Sequence, residues 1–100
     1  MIKIKVLKKD EIIKSVTTKG HSNFAEYGKD IVCAGVSAIM VGGLNSIIEM
    51  TGVTPKYSIN EGYLSLEVAA DELTQQIVRV MLIQLKSIQE SYPKNVHIQM

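Results

Sequence analysis

The apolar residues of this chain follow two different periods, which divide it into short strands and two long helices. Residues 2–6 alternate Ile or Val with Lys, the two-residue period of a half-buried strand. Residues 12–18 are rich in β-branched side chains, which favour strands. A polar segment, residues 8–11, separates the two. This pattern predicts a β-hairpin at the start of the chain.

The second half of the chain predicts another hairpin and a last strand. Residues 56–59 and 63–68 have strand-like composition, and residues 60–62 between them end in glycine, as hairpin connections often do. Residues 96–100 alternate apolar and polar side chains again and predict a short strand.

A long apolar segment lies between the two hairpins. No charged residue occurs from Ile31 to Ile48, and Asp30 before it is a preferred N-cap residue. We expect a helix that ends near Met50, before Gly52. Its apolar residues occupy nearly every side, which predicts burial on more than one face. One candidate core stripe contains Ile31, Ala34, Ala38, Val41, Leu44 and Ile48.

A second helix is predicted from Asp71, a further N-cap residue, to a stop before Pro93. The element order is then ββαββαβ. It predicts an α+β sandwich with a mostly antiparallel sheet and two helices, the first of them central and buried, in one domain over residues 1–100. The expected core stripe of the second helix is Leu73, Ile77, Val80, Met81, Leu85 and Ile88, with Gln75 outside it.

Charge and cysteine content narrow the class of protein. Eleven Lys and Arg residues against 10 Asp and Glu give a net charge of +1, which does not indicate nucleic-acid binding. The one cysteine cannot form an internal disulfide, which is typical of a reducing, cytoplasmic location. The uncharged segment reaches the lower length of a membrane span, but the strands need a helix to cover their apolar faces. We therefore expect a core helix and no membrane partner.

Candidate chemistry concentrates between Gly20 and Ser37. His21 follows a glycine, and Cys33 is the third residue of the predicted first helix, where unpaired N–H groups favour a thiolate. An imidazole beside it could act as general base. From residue types alone, however, a lone cysteine in an apolar helix is more often an inert core residue, and a histidine after a glycine in a loop is more often solvated. One cysteine and two histidines without metal-ligand spacing predict no metal site, and nothing predicts a cofactor.

Two segments carry a resemblance to a known family. Gly20-His21 and the run Gly-Lys-Asp-Ile-Val-Cys-Ala-Gly-Val-Ser at 28–37 resemble the ribosomal-processing cysteine protease family, and the likeness extends over essentially the whole chain. The resemblance implies a homodimeric bacterial endopeptidase with Cys33 as nucleophile and His21 as general base. It implies as substrate a large-subunit ribosomal protein precursor, cleaved after an apolar, aromatic-containing N-terminal extension. The family also has an aspartate and a serine at the positions of Asp30 and Ser37.

Several roles stay open at this point. Asp30 is either a helix cap or a third catalytic residue that orients His21. Ser37 either supports the site or bonds back to the helix backbone. Gly20 and Gly28 are predicted hinges of the histidine loop, with fixed turns at positive φ as the rival interpretation. Substrate-binding residues cannot be assigned. The alternative function is a non-catalytic ribosome-assembly or RNA-binding module, which would need a basic face.

Overall fold

The computed structural model describes residues 1–21 and 30–100. The elements have the predicted order ββαββαβ. Their bounds are β1 Ile2–Lys9, β2 Ile12–Lys19, α1 Ile31–Thr51, β3 Tyr57–Asn60, β4 Tyr63–Glu67, α2 Glu72–Ser91 and β5 Val96–Gln99.

The five strands form one sheet in the order β3-β4-β2-β1-β5. Every neighbouring pair is antiparallel except β1 and β5, so the expectation of a mostly antiparallel sheet is confirmed. The second hairpin is tighter than predicted, because β3 extends through Asn60 and only Glu61 and Gly62 connect it to β4. Gly62 has a φ of +67°, a left-handed conformation that glycine adopts without strain. The sheet thus ends at β3 on one side and β5 on the other.

Both helices lie on the same face of the sheet. Alternate residues of β1, Ile2, Ile4 and Val6, share one core with buried residues of α1 and α2. Lys3 and Lys5, which alternate with them, are exposed on the opposite face. The result is a two-layer α+β fold, as the alternating strands predicted.

The ends of α1 follow local sequence signals. The Asp30 carboxylate caps its N-terminus, and Gly52 ends it in the left-handed conformation, with a φ of +74° and its N–H donating to Ile48 O at 2.9 Å. By length and composition this helix could also cross a membrane. In this fold it instead supplies five residues to the core shared with the sheet: Val32, Val36, Met40, Leu44 and Ile47.

The predicted core stripe of α1 is wrong for most of its members. Ile31 and Val41 are 59% and 39% exposed, and Ala34 and Ala38 are exposed as well. The prediction that α1 is buried on more than one face is also not met within a single chain. Because the helix is apolar on nearly every side, helical periodicity could not select the face that meets the sheet. An apolar outer face is therefore left uncovered by this chain.

The face of α2 is shifted in the same way. Leu73 and Val80 were predicted in the core but are 38% and 53% exposed. Gln75 was predicted outside but is buried, because its side chain satisfies the backbone: Nε2 donates to Ile13 O at 2.9 Å and Ala69 O at 2.8 Å, and Oε1 accepts from Ile13 N–H at 3.0 Å. The buried residues are Thr74, Gln75, Val78, Met81, Leu82 and Leu85.

Candidate active site

His21 and Cys33 line the same pocket. This pocket, of about 270 Å³, lies between the N-terminal half of α1 and the β3–β4 hairpin. The fold thus brings together the two groups that the sequence singled out, although eleven residues of chain, 22–32, separate them. The other lining residues are Ile2, Thr18, Gly20, Val36, Ser37, Met40, Val41, Ile59, Asn60, Glu61, Gly62, Tyr63 and Leu64.

Cys33 is held in the first turn of α1, where it is partly buried. The N–H groups of Val32 and Cys33 both donate to Asp30 Oδ1 at 3.0 Å. Asp30 is therefore the helix cap that the sequence predicted. The Ala34 N–H donates to the Asp30 carbonyl at 3.1 Å. Asp30 thus accepts hydrogen bonds from three N–H groups of the first turn. Its second predicted role, to orient His21, remains a prediction.

His21 is positioned by the turn between β3 and β4. The Gly20 N–H donates to the Gly62 carbonyl at 2.8 Å, which extends the pairing of β2 with β4 up to the histidine. An ideal Cβ at Gly62 would lie 2.9 Å from Nε2 and 3.3 Å from Cε1 of His21. The imidazole therefore packs directly over the Gly62 backbone. The sequence marked Gly62 only as a turn residue, since contact with His21 depends on long-range strand pairing.

The geometry of Gly20 bears on its predicted hinge function. Its φ of +99° and its hydrogen bond to Gly62 favour the fixed-turn interpretation that the sequence left open. The second predicted hinge, Gly28, lies outside the described residues. Ser37 lies one helical turn after Cys33 and lines the same pocket with an exposed side chain. Its catalytic contribution remains a prediction.

Sequence reasoning missed the apolar wall of the pocket. Ile59 on β3 and Val41 on α1 both line it, and they are 51% and 39% exposed. Val41 was expected in the core, and nothing in the sequence indicated that β3 would lie beside the first helix. Exposed apolar side chains next to a thiol and an imidazole are what a site for an apolar peptide requires. Within residues 1–21 and 30–100, no three His, Cys, Asp or Glu side chains meet as a metal site would need.

A thiol in the first turn of a helix and an imidazole in the same pocket are the two groups that cysteine hydrolases use. The fold and the pocket together define a protein of that class. The comparison with known families agrees with this, since the sequence profile of the family described as cysteine protease Prp matches residues 1–97. The chain belongs to this family of cysteine proteases.

Individual relatives support the assignment along nearly the whole chain. The ribosomal processing cysteine protease Prp of Bacillus subtilis is 36% identical over 97 residues, covering 89% of this chain and 87% of the relative. That of Staphylococcus aureus is 38% identical over 104 residues, covering 98% and 97%. A crystal structure of the S. aureus protease with a covalently linked product peptide superposes with a TM-score of 0.93 at 34% identity, covering 99% of this chain and 98% of that one.

Proposed function

We propose that this protein is an endopeptidase that removes the apolar, aromatic-containing N-terminal extension of a large-subunit ribosomal protein precursor. The observation that carries the proposal is that His21 and Cys33 line one pocket in a chain of the cysteine protease Prp family. The names of its relatives, ribosomal processing cysteine proteases, support this class of substrate. The product peptide covalently linked in the S. aureus structure supports chemistry through a covalent intermediate.

Cys33 is the nucleophile of this proposal and His21 its general base. His21 takes the thiol proton, and Cys33 Sγ bonds to the scissile carbonyl carbon, which becomes tetrahedral. The carbon–nitrogen bond then breaks, and the imidazolium gives its proton to the departing amine. Water, deprotonated by His21, attacks the resulting thioester. The carboxylate product leaves and the thiol is restored.

The arrangement of the first turn limits where an oxyanion hole can form. The N–H groups of Val32 and Cys33 are bonded to the Asp30 carboxylate. Using them for the oxyanion would break the cap and expose the carboxylate to a developing negative charge. We therefore expect the oxyanion donors to come from other groups. Ser37 is a supporting candidate because its exposed side chain lines the pocket one turn after Cys33.

Asp30 is proposed to act as a cap, and two variants separate this role from a catalytic one. Asp30→Asn keeps an acceptor oxygen but removes the charge, so we expect near-normal activity and stability. Asp30→Ala removes the cap and should lower the free energy of unfolding by about 1 kcal/mol. Loss of peptide cleavage in Asp30→Asn, measured with folding intact, would show instead that the charge serves the reaction.

The proposal includes a cytoplasmic homodimer formed by single-domain chains of residues 1–100, without a cofactor. Its structural support is the uncovered outer face of α1, where Ile31, Ala34 and Ala38 are exposed. An apolar face of this kind is typical of a surface covered by another subunit. Sedimentation equilibrium should give twice the chain mass, and Ala38→Arg, which adds a charge to that face, should shift the mass toward that of one chain.

The activity is tested with a synthetic peptide that spans the junction between the extension and the mature ribosomal protein. The wild type should release two fragments, identified by liquid chromatography and mass spectrometry. Cys33→Ala and His21→Ala should each abolish cleavage while unfolding at the wild-type temperature. Cleavage at the same bond by Cys33→Ala would refute the proposed nucleophile. Binding of RNA with steep salt dependence and no cleavage would favour the alternative module.

A further inference from the structure

At the outer edge of β3, some main-chain groups have no backbone partner among residues 1–21 and 30–100, and the sheet register identifies them. β3 is the last strand of the sheet on its side. The Glu67 N–H donates to Lys56 O at 2.9 Å, and these two residues are the next pair beyond Tyr57 and Leu66 when the β3–β4 register is continued. Hydrogen-bonded pairs alternate with non-bonded pairs in an antiparallel ladder. Ser58 and Asn60 therefore bond to β4.

Tyr57 and Ile59, by the same alternation, direct their N–H and C=O groups away from β4. Together they offer two donors and two acceptors at the edge of the sheet. None of the backbone hydrogen bonds found outside helices and strands in the described part of the chain reaches either residue. All four residues of β3 are exposed. An edge of this kind is a template for an added strand.

This edge is continuous with the catalytic pocket. Tyr57 and Ile59 pair with Leu66 and Leu64, which are buried on the helix-bearing face, so their side chains lie on that face as well. They are 50% and 51% exposed. Ile59 lines the pocket that also contains His21 and Cys33, and Val41 of α1 lines it too. A strand laid along β3 would therefore place alternate side chains beside an apolar wall next to the thiol.

We propose that the substrate peptide binds in extended form as an additional strand on β3, and that Ile59 and Val41 receive an apolar side chain of the extension. This inference rests on the proposed endopeptidase function and names how its substrate is held. Main-chain hydrogen bonds to Tyr57 and Ile59 supply affinity that does not depend on sequence. The apolar contacts select the residues before the cut. This division of labour is general for peptides that add to sheet edges.

The substrate itself provides the sharpest test. A series of peptides carries one N-methyl group each, at successive residues before the cut, so that each member loses one N–H donor. Pairing with β3 uses every second N–H of an extended peptide. Kd is measured by fluorescence anisotropy on the Cys33→Ala variant, which binds without turnover. We expect Kd to rise about tenfold, corresponding to about 1.4 kcal/mol, at alternate positions and to change little between them. A flat profile would overturn the proposal.

Variants of β3 test the protein side of the same contact. Ile59→Ala truncates the side chain to a methyl group, and Ile59→Pro replaces it by a compact ring and also removes the outward N–H, which an edge strand tolerates. Both should raise KM for the peptide, and Ile59→Pro by more than Ile59→Ala. Ile83→Ala is the control, because Ile83 is exposed to a similar extent, 65%, but lies on α2 and does not line this pocket. Equal KM values for the two Ile59 variants would contradict the main-chain contact.

The outcomes separate this inference from the function on which it rests. If the wild type does not cleave the peptide, the proposed function fails before any question of binding mode. If cleavage depends on Cys33 but the N-methyl series does not alternate, only the added strand fails. Ile59→Pro should also keep the sedimentation mass of the wild type. A fall to the mass of one chain would overturn the proposal, since a second copy would then occupy the edge of β3.

Discussion

Replacing Gly62 by alanine should move the imidazole of His21, the proposed general base, while leaving the fold in place. The new Cβ would lie 2.9 Å from His21 Nε2 and 3.3 Å from Cε1. Carbon and nitrogen atoms that are not bonded do not approach this closely, so one partner must shift by several tenths of an ångström. The imidazole is the end of a side chain, whereas Gly62 is held in the sheet by its bond to Gly20. We therefore expect His21 to move.

Gly52 supplies a matched control for the backbone effect. Its φ of +74° is close to the +67° of Gly62, and the described part of the chain has no atom within 4 Å of an alanine Cβ there. A left-handed conformation costs a non-glycine residue about 1–2 kcal/mol, so both variants should lose about that much stability. Only Gly62→Ala displaces His21. A misplacement of about 1 Å can cost about a hundredfold in rate, so we expect a loss of at least about tenfold in kcat.

The assay compares kcat and KM for the junction peptide with unfolding in urea for the same three proteins. Gly62→Ala and Gly52→Ala should show similar losses of unfolding free energy, because both place alanine at a positive φ. Their kcat values should differ, with Gly52→Ala within about twofold of wild type. Equal kcat in the two variants would refute the reasoning, since the contact between Gly62 and His21 would then have no bearing on the reaction.

Two further predictions concern stability. Gly43→Ala should destabilise the protein by about 1–3 kcal/mol in urea unfolding, because its Cβ would clash with the Met81 side chain between the helices. Gly42→Ala should instead stabilise it by up to about 1 kcal/mol, because no atom of residues 1–21 and 30–100 lies within 4 Å of the new Cβ. The pKa of Asp71 lies below its usual value because the N–H and then the hydroxyl of Thr74 donate to its carboxylate. The charged form thus stabilises the fold above the unfolded pKa of about 3.9, and this contribution is lost as pH falls through the lower folded pKa. Asp71→Asn should accordingly lose less Tm than wild type on acidification below about pH 4; an unchanged pH profile would contradict the assignment.

Local signals in the sequence predicted the elements and their ends. Asp30 and Asp71 cap the two helices, and Gly52 ends the first, because each of these roles needs only the residue and its immediate neighbours. Alternation along β1 predicted its buried side for a similar reason. His21 and Cys33 are also close in the sequence, and together with the family resemblance this predicted that they share a pocket.

The contacts around the site could not be predicted in this way, because they depend on long-range pairing. The Gly62 backbone reaches His21 only because β2 pairs with β4, and Ile59 reaches the pocket only because β3 ends the sheet beside α1. The hydrophobic pattern of α1 also did not identify which of its faces packs in the core, as Val41 illustrates. Val41 was predicted in the core because it is apolar, but an apolar side chain can equally line a pocket, as this one does.

The central claim, that Cys33 attacks the peptide with His21 as its base, is tested most directly by quenching the reaction in acid and weighing the intact protein. During turnover the wild type should gain the mass of the extension fragment as an acyl group, and peptide mapping should locate that group on Cys33. The Cys33→Ala protein should gain no mass and release no fragment. Release of the same fragments by Cys33→Ala, or an acyl group on a different residue of the wild type, would contradict the account.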